Sequence, residues 1–214
     1  RVVGMSALAT GAGLQTGATH GPCLMDPSSN TCGTTVTIPD EGTWTIDQTT
    51  GVASFAALPT ISVGTHTPVV YQVTDVLGQT ATSTLTPIIP PPPSAQDDAI
   101  TTNYDVTQTY TPFSNDTFSS IAPVVTSSLR LCASLSDSSS CTATTLVVPN
   151  EGTFTVNANG TVTFDPLPTF EGTATPVRYQ ANDIAGQTVT ATLNPTILAP
   201  PLPSASIDLS LIHI

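Results

Sequence analysis

Lysine is missing from all 214 residues, and the only basic side chains are Arg1, Arg130 and Arg178, set against 15 acidic ones for a net charge of −12. Nucleic-acid binding needs clustered cations to displace counterions, and an anionic membrane surface would repel this chain, so neither partner is expected. Without lysine, a Lys–Asn isopeptide brace of the kind found in some pilus domains is also out of reach. No stretch approaches the roughly eighteen apolar residues of a membrane-spanning helix, and no charged-then-apolar leader opens the chain. Aromatic residues make up 5 %, too few for an exposed sugar-stacking platform. Histidine is nearly absent as well. Outside the last six residues only His20 and His66 occur, and His66 aligns with Ala174 in the repeat described next. No nucleophile, base and acid recur together, so the chain is read as non-enzymatic.

What is abundant is threonine and proline, and the dominance of β-branched residues over Glu, Lys and Leu marks an all-β chain. The order of the residues repeats. Pro39-Asp-Glu-Gly-Thr-Trp-Thr45 returns as Pro149-Asn-Glu-Gly-Thr-Phe-Thr155, and Thr67-Pro-Val-Val-Tyr-Gln72 returns as Thr175-Pro-Val-Arg-Tyr-Gln180. Gly78-Gln-Thr80 becomes Gly186-Gln-Thr188, all at an offset of 108 to 110. A proline-rich run closes each copy, which predicts a first repeat over 1–86, truncated at its start, a linker over 87–95 and a complete second repeat over 96–194. Residues 195–208 read as a second linker and the start of a further repeat. Residues 209–214, Leu209-Ser-Leu-Ile-His-Ile214, read as the translated end of a sequencing-library adaptor and carry no fold signal.

Within the second copy the hydrophobic period is two. Phe154, Val156, Val162 and Phe164 alternate with threonines across Asn157-Ala-Asn-Gly160, and Val177, Tyr179 and Ala181 are followed by a turn over Asp183-Ile-Ala-Gly186 and by Val189, Ala191 and Leu193. Shorter strands are expected at 99–103, 107–111, 127–132 and 142–148. About seven short strands per copy, each with one apolar and one Thr-rich face, predict tandem immunoglobulin-like antiparallel β-sandwiches joined by Pro-rich linkers.

These motifs, in this order, resemble the CshA-type fibril repeat of bacterial surface adhesins. The resemblance covers the second copy and most of the first. It implies tandem immunoglobulin-like modules stacked into a wall-attached, extracellular fibril, with neighbouring repeats of the same chain as partners and adhesion to a host or microbial surface carried mainly by a separate region. The paired cysteines depart from the Cys-poor repeats of the streptococcal members of that family.

Cys23-x8-Cys32 and Cys132-x8-Cys141 share one spacing, which points to one short disulfide per repeat in an oxidising compartment. Closing such a loop contributes roughly 2.7 kcal/mol in the chain-entropy account. The competing reading is a metal, but tetrahedral zinc needs four ligands and each pair stands alone. Asp75 and Asp183 begin equivalent turns, and with Asp97 and Asp98 they are the candidates for calcium, whereas the alternative reading is a carboxylate accepting backbone N–H groups within the turn. No other cofactor is expected. Glu41 and Glu151 are placed at strand starts, with Gly42 and Gly152 supplying permissive backbone angles. Trp44 matching Phe154, and Tyr71 matching Tyr179, reads as core filling. The Ser-rich loop between Cys132 and Cys141 is the candidate ligand-binding surface.

Overall fold

The computed structural model describes residues 2–5, 22–75, 77–133 and 141–204. His20, the Ser134–Ser140 part of the cysteine loop, the start of a further repeat at 205–208 and the segment 209–214 lie outside the described residues. The chain divides into two units, the first reaching to Pro92 and including Ser119–Ala122, the second beginning at Pro93 and holding the remainder.

The first unit contains β1 (Val2–Met5), β2 (Cys23–Met25), β3 (Cys32–Gly33), β4 (Thr35–Ile38), β5 (Gly42–Ile46), β6 (Ala53–Ala57), β7 (Gly64–Thr65), β8 (Val69–Thr74), β9 (Thr80–Leu85) and β10 (Ile88–Ile89). The second contains β11 (Asp98–Thr102), β12 (Gln108–Tyr110), β13 (Val124–Cys132), β14 (Cys141–Ala143), β15 (Thr145–Val148), β16 (Gly152–Val156), β17 (Val162–Pro166), β18 (Gly172–Thr173), β19 (Val177–Asp183) and β20 (Thr188–Ile197). One sheet of the first unit runs β1-β6-β5-β4 and the other β3-β2-β8-β9. The second unit repeats this order as β12-β17-β16-β15 and β14-β13-β19-β20, with β11 added beyond β20.

Alternation explains the layering. Along β19 and β20 every second residue is buried, and the apolar sides of the two sheets meet in a core built on Tyr110, Leu129, Leu131, Phe154, Phe164, Tyr179 and Leu193. The first unit has a separate core around Leu24, Trp44, Phe55 and Val69. Trp44 packs on Phe55 at 5.0 Å between ring centroids, and Phe154 on Phe164 at 4.6 Å, so the aromatic exchange between copies is core filling. Trp44 Nε1 is buried without a hydrogen-bond partner, a penalty that Phe154 avoids. Both predicted hairpins of the second copy form, and the turn glycines Gly160 and Gly186 have φ of 83° and 74°.

Four details differ from the sequence expectations. The strand expected at 142–148 breaks at Thr144, whose carbonyl accepts the Val156 N–H (2.7 Å), and the chain there passes from one sheet (β14) to the other (β15). The strand expected at 127–132 starts at Val124 and carries a bulge that Ser128 fills. Its hydroxyl donates to the Val125 carbonyl (2.6 Å) and accepts the Asn182 N–H (2.8 Å). Among the described residues one pair is parallel in an otherwise antiparallel framework: β11 lies beside the end of β20, with Asp98 opposite Leu193 and Thr102 opposite Ile197. The proline runs, finally, are partly strand. Ile88–Ile89 pairs with Gly64–Thr65 and Ile89 is buried, Ser94 bridges to Thr117, and β20 continues through Pro195 to Ile197, past the 194 boundary drawn from composition.

Candidate functional site

Both cysteine pairs are disulfides, and their registers differ. Leu24 stands opposite Tyr71 and Leu131 opposite Tyr179, which fixes the equivalence of β2 with β13. Cys23 then takes the position of Arg130, and Met25 that of Cys132. In the second repeat Cys132 and Cys141 are direct cross-strand partners, whereas in the first Cys32 pairs with Met25 and reaches Cys23 diagonally. Equal sequence spacing therefore hides unequal positions. The Cys23–Cys32 loop is internally braced: Asp26 accepts the amide (2.8 Å) and hydroxyl (2.6 Å) of Ser28, and these bonds hold its carboxyl below the usual range.

The four aspartates considered for calcium are not brought together. Asp75 Oδ1 accepts the N–H groups of Leu77 and Gln79, both at 2.8 Å. Asp183, only 3 % exposed, accepts the backbone N–H of Gln187 at 2.7 Å and its side-chain amide at 3.1 Å. Both turns are thus held by carboxylates accepting backbone N–H groups. Asp97 and Asp98 lie instead at the start of β11, together with Asp116, which follows the short 3-10 turn Pro112–Ser114. Among the described residues no group of three or more His, Cys, Asp or Glu is arranged to hold a metal ion.

The two repeated turns differ in burial, so equal substitutions should have unequal effects. Asp183→Ala is expected to destabilise the second repeat by about 2 kcal/mol, because it removes a buried carboxylate that accepts two hydrogen bonds from the half-buried Gln187, while Asp75→Ala removes more exposed bonds and should lower stability by under about 1 kcal/mol. Urea unfolding of the two variants checks the ranking. Equal losses would show that burial of the turn carries no weight.

The repeated glutamates do more than start a strand. Glu151 Oε2 accepts the Thr175 N–H (2.6 Å) and Oε1 accepts its hydroxyl (2.8 Å). Glu41 holds Thr67 in the same way at 3.0 and 2.8 Å, with His66 Nδ1 3.7 Å from Glu41 Oε1. The neighbouring glycines both serve close approach, and Gly42 also takes a positive φ of 159°. A Cβ at Gly152 would collide with the Asp165 carbonyl and the Phe164 ring, and one at Gly42 with the Ala56 carbonyl and the Phe55 ring. The repeated Thr-Pro pair was the available signal for the clamp.

At the start of β11 three carboxyls lie among buried tyrosines. The Thr192 N–H donates to Asp97 Oδ1 (2.8 Å). Asp116 accepts the Gln96 N–H (2.9 Å) and the Tyr179 hydroxyl (2.9 Å). Asp98 Oδ2 is buried with no partner. Burial first, then the Asp116 carboxylate and more weakly that of Asp97, push the Asp98 carboxyl up to about 7, against a side-chain hydrogen bond from Asn115. Burial also raises the hydroxyls of Tyr110 and Tyr179, with Asp98 adding to it at Tyr110 and chiefly Asp116 at Tyr179.

Two tandem, disulfide-closed immunoglobulin-like sandwiches define a class, repeat modules of all-β fold. The chain belongs to the family described as the surface adhesin CshA repetitive domain, which it matches twice, over residues 9–89 and 90–197. Those segments end on Ile89 and Ile197, the last residues of β10 and β20. No curated protein matches the chain. Among solved structures it is similar to the human desmocollin-1 ectodomain (14 % identity, TM-score 0.31, covering 87 % of this chain and 32 % of that one). It is also similar to a tetra-tandem repeat from the extending region of a large adhesion protein (16 %, 0.25, 83 % and 41 %) and to the N-terminal eight Ig domains of Down syndrome cell adhesion molecule (9 %, 0.30, 84 % and 20 %). The chain spans well under half the length of each. The assignment of fold rests on the strand pairing described above.

Proposed function

We propose that these repeats are load-bearing spacers of a bacterial fibrillar adhesin, secreted or wall-attached, which hold a distal binding region away from the cell. The parallel pairing of the first and last strands of the second repeat carries this reading. Load enters at the start of β11 and leaves at the end of β20, and because Asp98–Thr102 runs beside Leu193–Ile197 in the same direction, tension pulls the two strands past each other. Their hydrogen bonds are then loaded together in shear rather than opened one at a time. The acidic, lysine-free composition keeps neighbouring fibrils apart by repulsion.

Single-molecule force spectroscopy on the tandem chain tests the reading. Pulled through its termini, the second repeat is expected to unfold at a clearly higher force than when the same chain is held through cysteines placed to peel β20 from one end. Equal forces in both geometries would remove the argument.

A second reading, in which the repeats themselves bind a glycan or a host matrix protein, is favoured by the covalently closed and internally braced Cys23–Cys32 loop, since a preorganised loop loses less entropy on binding. Saturable binding of the oxidised chain to glycan or matrix arrays, with or without calcium, and its loss when that loop is replaced, would support this alternative.

A further inference from the structure

The three carboxyls at the start of β11 are unevenly partnered. Asp97 and Asp116 each accept hydrogen bonds, from Thr192 for the one and from Gln96 and Tyr179 for the other. Asp98 presents a buried oxygen with no donor. The groups acting on Asp98 are Asp97 from its own segment, Asn115 and Asp116 from the turn before β13, Tyr110 from β12 and Tyr179 from β19, and none of them carries positive charge. Ionising Asp98 therefore adds negative charge to a partly buried site shared with two other carboxyls, with no cation among the described residues that act on it, and a neutral carboxyl relieves the repulsion.

We propose that Asp98 is a proton-operated latch on the first strand of the second repeat: neutral, its carboxyl lets β11 seat beside β20, and ionised, it drives that strand away. The position supplies the leverage. Asp98 is the first residue of β11, its carbonyl accepts the Asn194 side-chain amide at 3.2 Å, and its neighbour Asp97 is tied to Thr192, so displacement of this carboxyl acts on the β11–β20 seam. The latch concerns how tightly the repeat closes and stands whether the repeat bears load or binds a ligand.

The sign follows from linkage. The carboxyl titrates at about 7 in the folded repeat against 3.8 when exposed, so the folded state holds the extra proton between these values. Stability is then fully present at low pH and is lost as pH rises through this window. Between pH 5 and pH 8 the closing equilibrium of β11 is expected to weaken roughly ten- to a hundredfold.

The test uses the full 214-residue chain in metal-free buffer. Hydrogen-exchange protection factors of the Ala99–Thr102 amides, corrected for intrinsic exchange, should fall by that factor from pH 5 to pH 8 in the native chain and stay flat in Asp98→Asn, with the first-repeat strands as internal reference. In the native chain the Asp98 carboxyl carbon should titrate near neutrality by NMR, and Asp116→Asn should move that midpoint down. An equal fall in protection in Asp98→Asn, or a native midpoint in the ordinary carboxylate range, overturns the latch. The carboxyl titration alone decides if the Asn variant does not fold.

Discussion

Phe154→Ala is expected to destabilise the second repeat by about 3–5 kcal/mol, the largest effect of any single substitution considered. Phe154 is fully buried against Phe164 in the core of its sandwich, so truncating it removes a buried ring and leaves a cavity. Because each repeat has its own core, the loss should be confined to one of them. Urea unfolding followed by circular dichroism should show an early transition for the second repeat, while Trp44 emission, which reports the first, keeps its midpoint. A Trp44 transition that moves with the other would mean that the repeats unfold as one unit, and the modular account would fail.

The second large effect is expected at the glutamate clamp. Glu151 joins the start of β16 to the residue that leads into β19, and its carboxylate accepts two hydrogen bonds from Thr175. Bonds to a charged acceptor are the stronger kind, and Glu151→Ala should lower stability by about 2 kcal/mol, discounted for its partial exposure. Thr175→Val deletes the hydroxyl and leaves the amide, so it should lose about 1 kcal/mol alone and much less in the Glu151→Ala background. A double-mutant cycle by urea unfolding reads the coupling directly. Additive losses would mean that the two residues act separately and that the clamp contributes nothing as a unit.

Local chemistry made much of the fold legible. The hairpins at 154–164 and 177–193 follow from strict alternation around Gly-containing turns, and the exchange of Trp44 for Phe154 identified a core position without any contact information. What escaped depends on residues far apart in sequence. The parallel seam joins Asp98 to Leu193, and the clamp joins Glu151 to Thr175, so neither is visible within a window the length of a strand. Asp97 and Asp98 look alike on paper, yet one accepts the Thr192 amide and the other buries an unpartnered oxygen, a difference set by what packs over them. The break at Thr144 was hidden because β-branched residues run through it on both sides. The glycines of the repeated Glu-Gly-Thr were recognised, but the reason common to both is the ring of Phe55 or Phe164 on the next strand, which no local pattern reveals.

The unequal registers of the two disulfides bear on how far the chain can reach once it is overstretched. What the copies share is not a cysteine position but a covalent ring around the same hairpin, with eight residues enclosed in each case. A segment of that size spans roughly 30 Å when drawn out. An oxidised repeat that has lost its sheets therefore pays out a chain shorter by about that length, and a reducing environment releases it. Two rings in tandem make the maximum extension of the protein a readout of the thiol chemistry around it, independent of the force at which either sandwich opens.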